Sequence, residues 1–590
     1  MSKPPFLKFF LKYLGLVLFK KHTIGRSIEA KAAAQGEAPF LKFEGEVISY
    51  SEFNRRANRR AHLFHSLGVR KGDVVAVMME NRPEILETVV GLAKLGAVAG
   101  LINTNLKAAQ LTHCLNISQA EKLVLGRECL SAFKEVQSGL ERIKVDQVYQ
   151  DTRWREGGMD LTGAKDLNAL VAHQPTGNPT APPMNSKDVA ILIYTSGTTG
   201  MPKAARINHY RWYTAGLVFG FYALQLSPKD TLFCPLPLYH SNGILIAMSS
   251  ALINGAAFAI TRTFSASRFW EEVTKSGATS FIYIGEVLRY LMHQPPGAFD
   301  KAHTVTRITG NGLRPDIWPG FVQRFGIRAI REFYSSTEGN TATVNLNEKV
   351  GSVGKMVLKL SDNTILVRYD LDKANYVQGP DGFYLGCQPG EVGELLARIS
   401  PLTPFYGYTS TKDTESKIFR NVFKKGDSYF KTGDLMKKDA EGDYFFVDRM
   451  GDTYRWKGEN VSTQEVQESL SKFPGTLLAA VYGVEIPGTE GRVGMAALML
   501  EKGKSLDANA LGGFVVQHLP SYARPAFVRL VEHIDMTGTF KLKKTDLQKQ
   551  GYDPAQVKGS LYYLDAAAKQ YKPLDAGIYQ SIRSGSGVKF

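Results

Sequence analysis

The run Tyr194–Lys203, YTSGTTGMPK, packs hydroxyl side chains around Gly197 and Gly200 and ends in Lys203. Glycines let a backbone approach a ligand closely and take up positive φ, while amides and hydroxyls donate to phosphate oxygens. A lysine at the end adds a point charge for a polyphosphate. The spacing departs from the GxxxxGK[ST] pattern, so this is a different kind of phosphate loop or simply a polar turn after a strand. Gly310–Leu313, GNGL, can bring backbone against the flat face of a base. Tyr334–Gly339, YSSTEG, offers a ring to stack, hydroxyls for phosphate and a carboxylate for Mg²⁺. Lys431–Asp434, KTGD, places a carboxylate after a glycine turn, suited to both hydroxyls of a ribose. Asp448, Arg449, Trp456–Asn460 (WKGEN) and Thr537–Lys544 (TGTFKLKK) follow. Taken singly, the first of these runs reads equally as a polar turn, GNGL and YSSTEG read better as an ordinary turn and loop, and the lysine cluster reads as a solvated basic face.

These residues need a rigid frame. Val74–Met79 and Ala97–Ile102 read as buried strands, and the periodic Pro83–Leu95 between them as a helix with Ile85, Leu86, Val89 and Leu92 on one side. Further strands are expected at Ala190–Tyr194, Ala257–Ile260 and Phe281–Ile284. The alternation predicts an α/β protein with largely parallel sheets. Gln174–Ser186, rich in Pro, Thr and Asn, reads as a surface connection. Near Asp448 the chain becomes smaller in scale and more charged, which places a domain boundary there. We expect three parts: 1–35, an amphipathic N-terminal segment; 36–448, a large domain of several subdomains; and 449–590, a small α+β domain.

Length and composition agree. The 590 residues, 44% hydrophobic and 22% charged, suit a multidomain globular protein. A net charge of +16 favours anionic partners. Nucleic acid is not among those expected, since neither paired zinc ligands nor an aromatic RNA-binding signature is present. Cys114, Cys129, Cys234 and Cys387 are scattered, as in a reduced intracellular protein, and no Cys/His cluster has zinc spacing. Any metal should arrive with a nucleotide.

Phe6–Phe19, FLKFFLKYLGLVLF, is shorter than a membrane span and is interrupted by Lys8 and Lys12, which share one face of a helix. A helix in the membrane interface and a helix packed on the protein's own body are both compatible with it. The internal lysines argue against a cleaved signal peptide with its site near Ala32–Ala34.

In their order along the chain, these motifs resemble the adenylate-forming superfamily of acyl-CoA synthetases, luciferases and nonribosomal adenylation domains. Leu101–Leu106 (LINTNL), Leu236–Gly243 (LPLYHSNG), Gly310–Asp316 (GNGLRPD), Trp456–Val466 (WKGENVSTQEV) and the tail Gly551–Pro573 are similar to its very-long-chain acyl-CoA synthetase, or fatty acid transport protein, branch. The resemblance spans residues from about 25 to the C-terminus. It implies a large N-terminal adenylate-forming domain and a small mobile C-terminal one. The activity implied is that of an AMP-forming long- or very-long-chain fatty acid:CoA ligase using ATP, Mg²⁺ and coenzyme A.

By that resemblance, Thr195, Ser196, Gly197, Thr198, Thr199, Gly200 and Lys203 hold the β- and γ-phosphates. Asn311 and Gly312 line the adenine, with Tyr334 on its other face. Thr337 contacts the α-phosphate and Glu338 the Mg²⁺; Asp434 grips the ribose and Arg449 adds a nucleotide contact. Tyr239 and His240 belong to the acyl end, Gly458 to the pantetheine path, and Lys541 is the catalytic lysine. Three positions depart from the common pattern: Ser335 and Phe540, where relatives often carry glycine, and Gly451 at the usual hinge, which leaves Asp448 and Asp452 as rival hinges. The implied setting is cytoplasmic, peripherally attached to the inner face of a membrane, with a homodimer as the candidate assembly. Other readings are a bile-acid-like or aromatic carboxylate as substrate, and a membrane-associated uptake protein that traps fatty acid as its CoA ester.

Overall fold

The computed structural model describes residues 6–19, 21–153, 161–195, 201–357, 362–370, 375–457, 459–489, 491–536, 542–586 and 588. The chain divides into two compact units. The first comprises residues 1–362 and 399–418; the second comprises 363–398 and 419–590.

Two sheets frame the first unit. A seven-stranded sheet runs in the order Lys165–Asp166, Val148–Asp151, Lys122–Gly126, Val74–Met78, Val98–Leu101, Val189–Thr195, Lys203–Asn208. Every neighbouring pair is parallel except the last, where the chain doubles back as a hairpin. A nine-stranded sheet has a parallel centre, with Thr231–Cys234, Ala257–Ile260, Ser280–Ile284, Arg307–Asn311 and Ala329–Ser335 in it, and antiparallel edges. Parallel strands are buried on both faces, which is why they read as continuous apolar runs. The predicted strands all appear, shifted by a residue at most at any end. The helix predicted from Pro83 is Pro83–Lys94, with proline in its first turn, where a missing N–H costs nothing, and no residue of it exposed. The predicted surface connection is mostly exposed and carries no helix or strand. It is pinned by Asn58, whose amide donates to the Thr176 carbonyl at 2.7 Å.

Two π-helical stretches, Gly216–Ala223 and Asn242–Met248, have no counterpart in the sequence reading. Gly216 and Gly220 permit the first of them to approach the helix Ser249–Asn254: a Cβ at either would lie within 2.8 Å of the Ser249 or Ser250 backbone.

The N-terminal helix Phe6–Leu18 packs on the first π-helical stretch. Phe9 and Leu16 are buried, Phe9 lies 4.7 Å from the Tyr222 ring centroid, and Lys12 lies 5.4 Å from that of Phe221. Leu7, Leu11, Leu14 and Leu18 recur on the opposite side and stay exposed, Leu7 at 68% and Leu18 at 63%. Among the described residues, no helix is long and apolar enough to cross a membrane.

In the second unit, Thr364–Asp370, Val392–Arg398, Ser428–Lys438 and Tyr444–Arg449 pair antiparallel, each with the next, within a six-stranded sheet. A five-stranded sheet, Thr476–Val484 to Gln570–Pro573, is packed with the helices Thr463–Leu470 and Ala508–His518 around one apolar core. Asp448 lies inside this unit, its carboxylate accepting from the Thr463 amide at 2.7 Å. The four cysteines are free, three of them buried.

Candidate active site

In the first unit, Thr195, Asn311 and Tyr334 lie at or near the carboxyl ends of their strands, where open α/β sheets generally place their sites. Thr195 closes one strand of the hairpin and pairs in register with Lys203, which opens the next. Ser196, Gly197, Thr198, Thr199 and Gly200 lie outside the described residues, as do Gly458 and Lys541. Lys203 Nζ sits 2.8 Å from Asp413 Oδ1 and 5.7 Å from the centroid of the Tyr408 ring. The hydrogen bond from Lys203 holds the Asp413 carboxyl below its ordinary range. Tyr408 turns its hydroxyl the other way and donates to Glu338 Oε1 at 2.8 Å.

Glu338 belongs to the loop that follows the strand Ala329–Ser335, at whose end Tyr334 lies buried. Three contacts shape this loop. Arg211 donates to the Ser336 carbonyl at 2.7 Å, Thr337 shares a hydrogen bond with Ser241 at 3.1 Å, and Ser335 donates to the Thr341 carbonyl at 3.2 Å. Ser335 thus uses its hydroxyl to close the loop, which gives its departure from glycine a structural role. Desolvation pushes the Arg211 guanidinium down to about 10, and the Glu338 charge opposes that shift.

Asn311 ends the neighbouring strand and accepts from the Asn242 amide at 3.0 Å. Gly312 has φ +84°, the left-handed region that favours glycine, and a Cβ on Gly310 would come within 2.3 Å of the Tyr283 carbonyl oxygen. Beneath this turn lies a fully buried acid, Glu332. It accepts from the Leu313 amide at 3.0 Å on one oxygen and from the Tyr283 hydroxyl on the other. Burial pushes its carboxyl up to about 8 against these donors.

Tyr239 is buried and accepts from Asn105 at 3.2 Å, and burial pushes its phenol up to about 12. His240 follows, 3.4 Å by its Nδ1 from Ser241 Oγ. Asn81 braces this segment: its oxygen accepts from the Leu238 amide at 2.8 Å and its nitrogen donates to the Leu236 carbonyl at 2.9 Å. Ser241 and Asn242, next along the chain from His240, thus bond to Thr337 and Asn311, and Tyr408 joins Glu338 to Lys203. Within the second unit, Asp434 and Arg449 pair in register on adjacent strands, Arg449 Nε lying 3.7 Å from Asp434 Oδ1.

An open cavity of about 1020 Å³ in the second unit, lined by Arg492, Lys549, Tyr552, Tyr579 and Arg583 among others, contains none of the predicted residues. Sequence reasoning missed Arg211, Glu332, Tyr408 and Asp413. Asn105, Ser241 and Asn242 lay within the motifs LINTNL and LPLYHSNG without being singled out.

Residues 28–408 match the family described as AMP-binding enzyme, and residues 465–541 match the AMP-binding enzyme C-terminal domain. The chain belongs to the AMP-binding enzyme family. Its relatives include the medium/long-chain-fatty-acid–CoA ligase FadD6 of Mycobacterium tuberculosis, 40% identical over 96% of this chain and 92% of that protein. Long-chain fatty acid transport protein 1 of Homo sapiens is 41% identical over 96% of this chain and 88% of its own length. These place this AMP-binding enzyme in the fatty acid transport protein branch of the adenylate-forming superfamily. Solved structures confirm the fold. The anthranilate CoA ligase AuaEII in complex with anthranoyl-AMP aligns at TM-score 0.77 and 21% identity, over 90% of this chain and 97% of that one. ATP-bound MatB from Rhodopseudomonas palustris aligns at 0.74 and 20%, over 91% and 99%.

Proposed function

We propose that this AMP-binding enzyme activates long-chain fatty acids as acyl-adenylates and passes them to coenzyme A. The observation that carries the reading is the position of Tyr408. Its ring lies against Lys203 and its hydroxyl holds Glu338, so a phosphate-binding cation and a carboxylate suited to a hard metal ion share one site. Among the described residues no group of three or more His, Cys, Asp or Glu gathers to hold a metal. Mg²⁺ is commonly held by one or two carboxylates and the phosphates of its nucleotide. When bound by Glu338, Mg²⁺ supplies charge neutralisation at the phosphates.

The chain's own residues do the rest. Lys203, with Thr195 and the hydroxyls and glycines of 196–200, holds the β- and γ-phosphates. Thr337 steadies the α-phosphate, Asn311, Gly312 and Tyr334 take the adenine, and Asp434 and Arg449 take the ribose. A fatty carboxylate oxygen bonds to the α-phosphorus as the bond to the bridging oxygen breaks, and pyrophosphate leaves. Attacker and target are both anionic, so Lys541 must stabilise charge as the bond forms. The coenzyme A thiol then attacks the acyl carbonyl near Gly458, and AMP leaves. Residues 449–590 are read as the part that moves between the two steps, bringing Lys541 to the first and Gly458 to the second. Tyr239 and His240 face the acyl chain, where each methylene removed from water contributes roughly 0.8 kcal/mol. Long- or very-long-chain acids are the substrates of this reading, and fatty acid uptake by trapping the product as a charged thioester is its alternative. The test is pyrophosphate release from Mg-ATP with a panel of acids from medium to very long chain. Release should require acid, and AMP should accumulate on adding coenzyme A. No release with any member of the panel would refute the reading.

The enzyme is also read as a peripheral protein on the inner face of a membrane. The supporting feature is the leucine stripe Leu7, Leu11, Leu14 and Leu18, with Lys8 and Lys12 exposed beside it to meet anionic headgroups. Replacing Leu11 and Leu14 by aspartate leaves the buried Phe9–Leu16 face intact. It should lower co-sedimentation with anionic vesicles about tenfold or more, as should deletion of residues 1–22. Unchanged partitioning of both variants would overturn the assignment.

A further inference from the structure

Tyr408 and Asp413 come from residues 399–418, a segment that leaves the first unit's main run of chain yet folds with that unit. It lies along the outer strand of the seven-stranded sheet, immediately after Lys203. Thr409 donates to the Ala204 carbonyl at 2.9 Å, Arg206 donates to the Gly407 carbonyl at 3.0 Å, and Tyr408 pairs with Ala205. Gly407 makes the turn at φ +65°, where a Cβ would also meet Thr414 side-chain atoms at 2.4 Å. Ser410 accepts from the Asp413 amide at 3.2 Å and fixes the next turn. The backbone is thereby anchored on both sides of the contacts made to Lys203.

We propose that Asp413 is a stand-in for phosphate on Lys203 and that Tyr408 holds Lys203 and Glu338 at the spacing a magnesium-bound polyphosphate needs. Binding of Mg-ATP is then an exchange, in which phosphate oxygens replace one carboxylate at the lysine. The proposal rests on the reading above that Lys203 binds polyphosphate. Three features favour exchange over a permanent structural pair. Both partners are partly open to solvent, at 21% and 32% side-chain exposure, so the pair is reachable. A polyphosphate carries more charge and more acceptor oxygens than a carboxylate and wins the competition. Tyr408 keeps its ring against the lysine whichever anion occupies it, so the cation stays aligned when Asp413 releases it.

The sign of one measurement separates a competitor from a support. Asp413→Asn keeps shape and removes the rival charge. The dissociation constant for magnesium α,β-methylene-ATP, measured by calorimetry without acid, should fall about two- to fivefold, the range of a partly exposed ion pair. Asp413→Ser should do the same. An unchanged or larger constant in both variants would overturn the proposal, because a supporting carboxylate is needed for binding and a competing one is not. Tyr408→Phe retains the ring and loses the hydroxyl on Glu338. The magnesium concentration for half-maximal nucleotide binding should then shift severalfold, and no shift would remove Tyr408 from its positioning role. Lys203→Ala is the arm that tests the underlying reading: it should weaken nucleotide binding tenfold or more. If it does not, the phosphate assignment fails; if it does while Asp413→Asn fails to tighten, only the exchange fails.

Discussion

Lys541→Ala is expected to slow acyl-adenylate formation by roughly 10²–10³-fold, the usual cost of removing one group that stabilises transition-state charge. The physical reason is electrostatic. Carboxylate and α-phosphate repel as they approach, and charge passes toward the departing pyrophosphate, so a cation contributes more at the transition state than with the substrates merely bound. The loss should therefore fall on kcat for adenylation, with KM for ATP and acid changed much less. The second half-reaction is the internal control. Supplied with preformed acyl-adenylate and coenzyme A, the variant should make thioester at nearly the unmodified rate. Acid-dependent exchange of labelled pyrophosphate into ATP reads the first step, and thioester formation reads the second. Full exchange activity in the alanine variant would strip Lys541 of its role.

Glu338→Gln is expected to produce a defect of similar size, roughly 10²–10³-fold in adenylation at moderate magnesium, partly recovered as magnesium is raised. The substitution keeps an oxygen that can accept from Tyr408, so the 2.8 Å contact and the loop should survive. What is lost is a negative charge at a place where Mg²⁺ binds through few protein ligands. A magnesium titration of pyrophosphate release distinguishes this from simple misfolding. A metal ligand shifts the half-saturating concentration upward, while a damaged fold lowers the plateau alone. Arg211 provides a second readout, since the Glu338 charge opposes the desolvation that pushes its guanidinium down. The glutamine variant should lose some thermal stability for that reason. An unaltered magnesium profile would exclude Glu338 as a metal ligand.

Much of the candidate site was legible because the chemistry of phosphate binding is local. Gly310, Asn311 and Gly312 must be adjacent, since close backbone approach and a left-handed turn are set by neighbouring residues. Thr337 and Glu338 are likewise carried by one loop after a buried strand. Tyr408 and Asp413 were not legible. Tyr408 stands 70 residues from Glu338, and nothing in the sequence around it states which strand edge it will join. Glu332 was hidden in another way. Inside the strand Ala329–Ser335, with Arg331 beside it, an acid reads as a residue on a polar face until the Tyr283 hydroxyl and the Leu313 amide are seen to converge on it.

The amino-acid sequence alone determined the class of fold, the spans of five strands of the two large sheets and the family, because apolar periodicity and glycine spacing act over a few residues and survive without knowledge of the rest. The tertiary structure decided which side of the N-terminal helix is covered, why Ser335 can replace glycine, and which groups face Lys203. Those outcomes depend on segments brought together by sheet pairing and burial. The energy of each such contact belongs to two distant stretches of chain and is written in neither one.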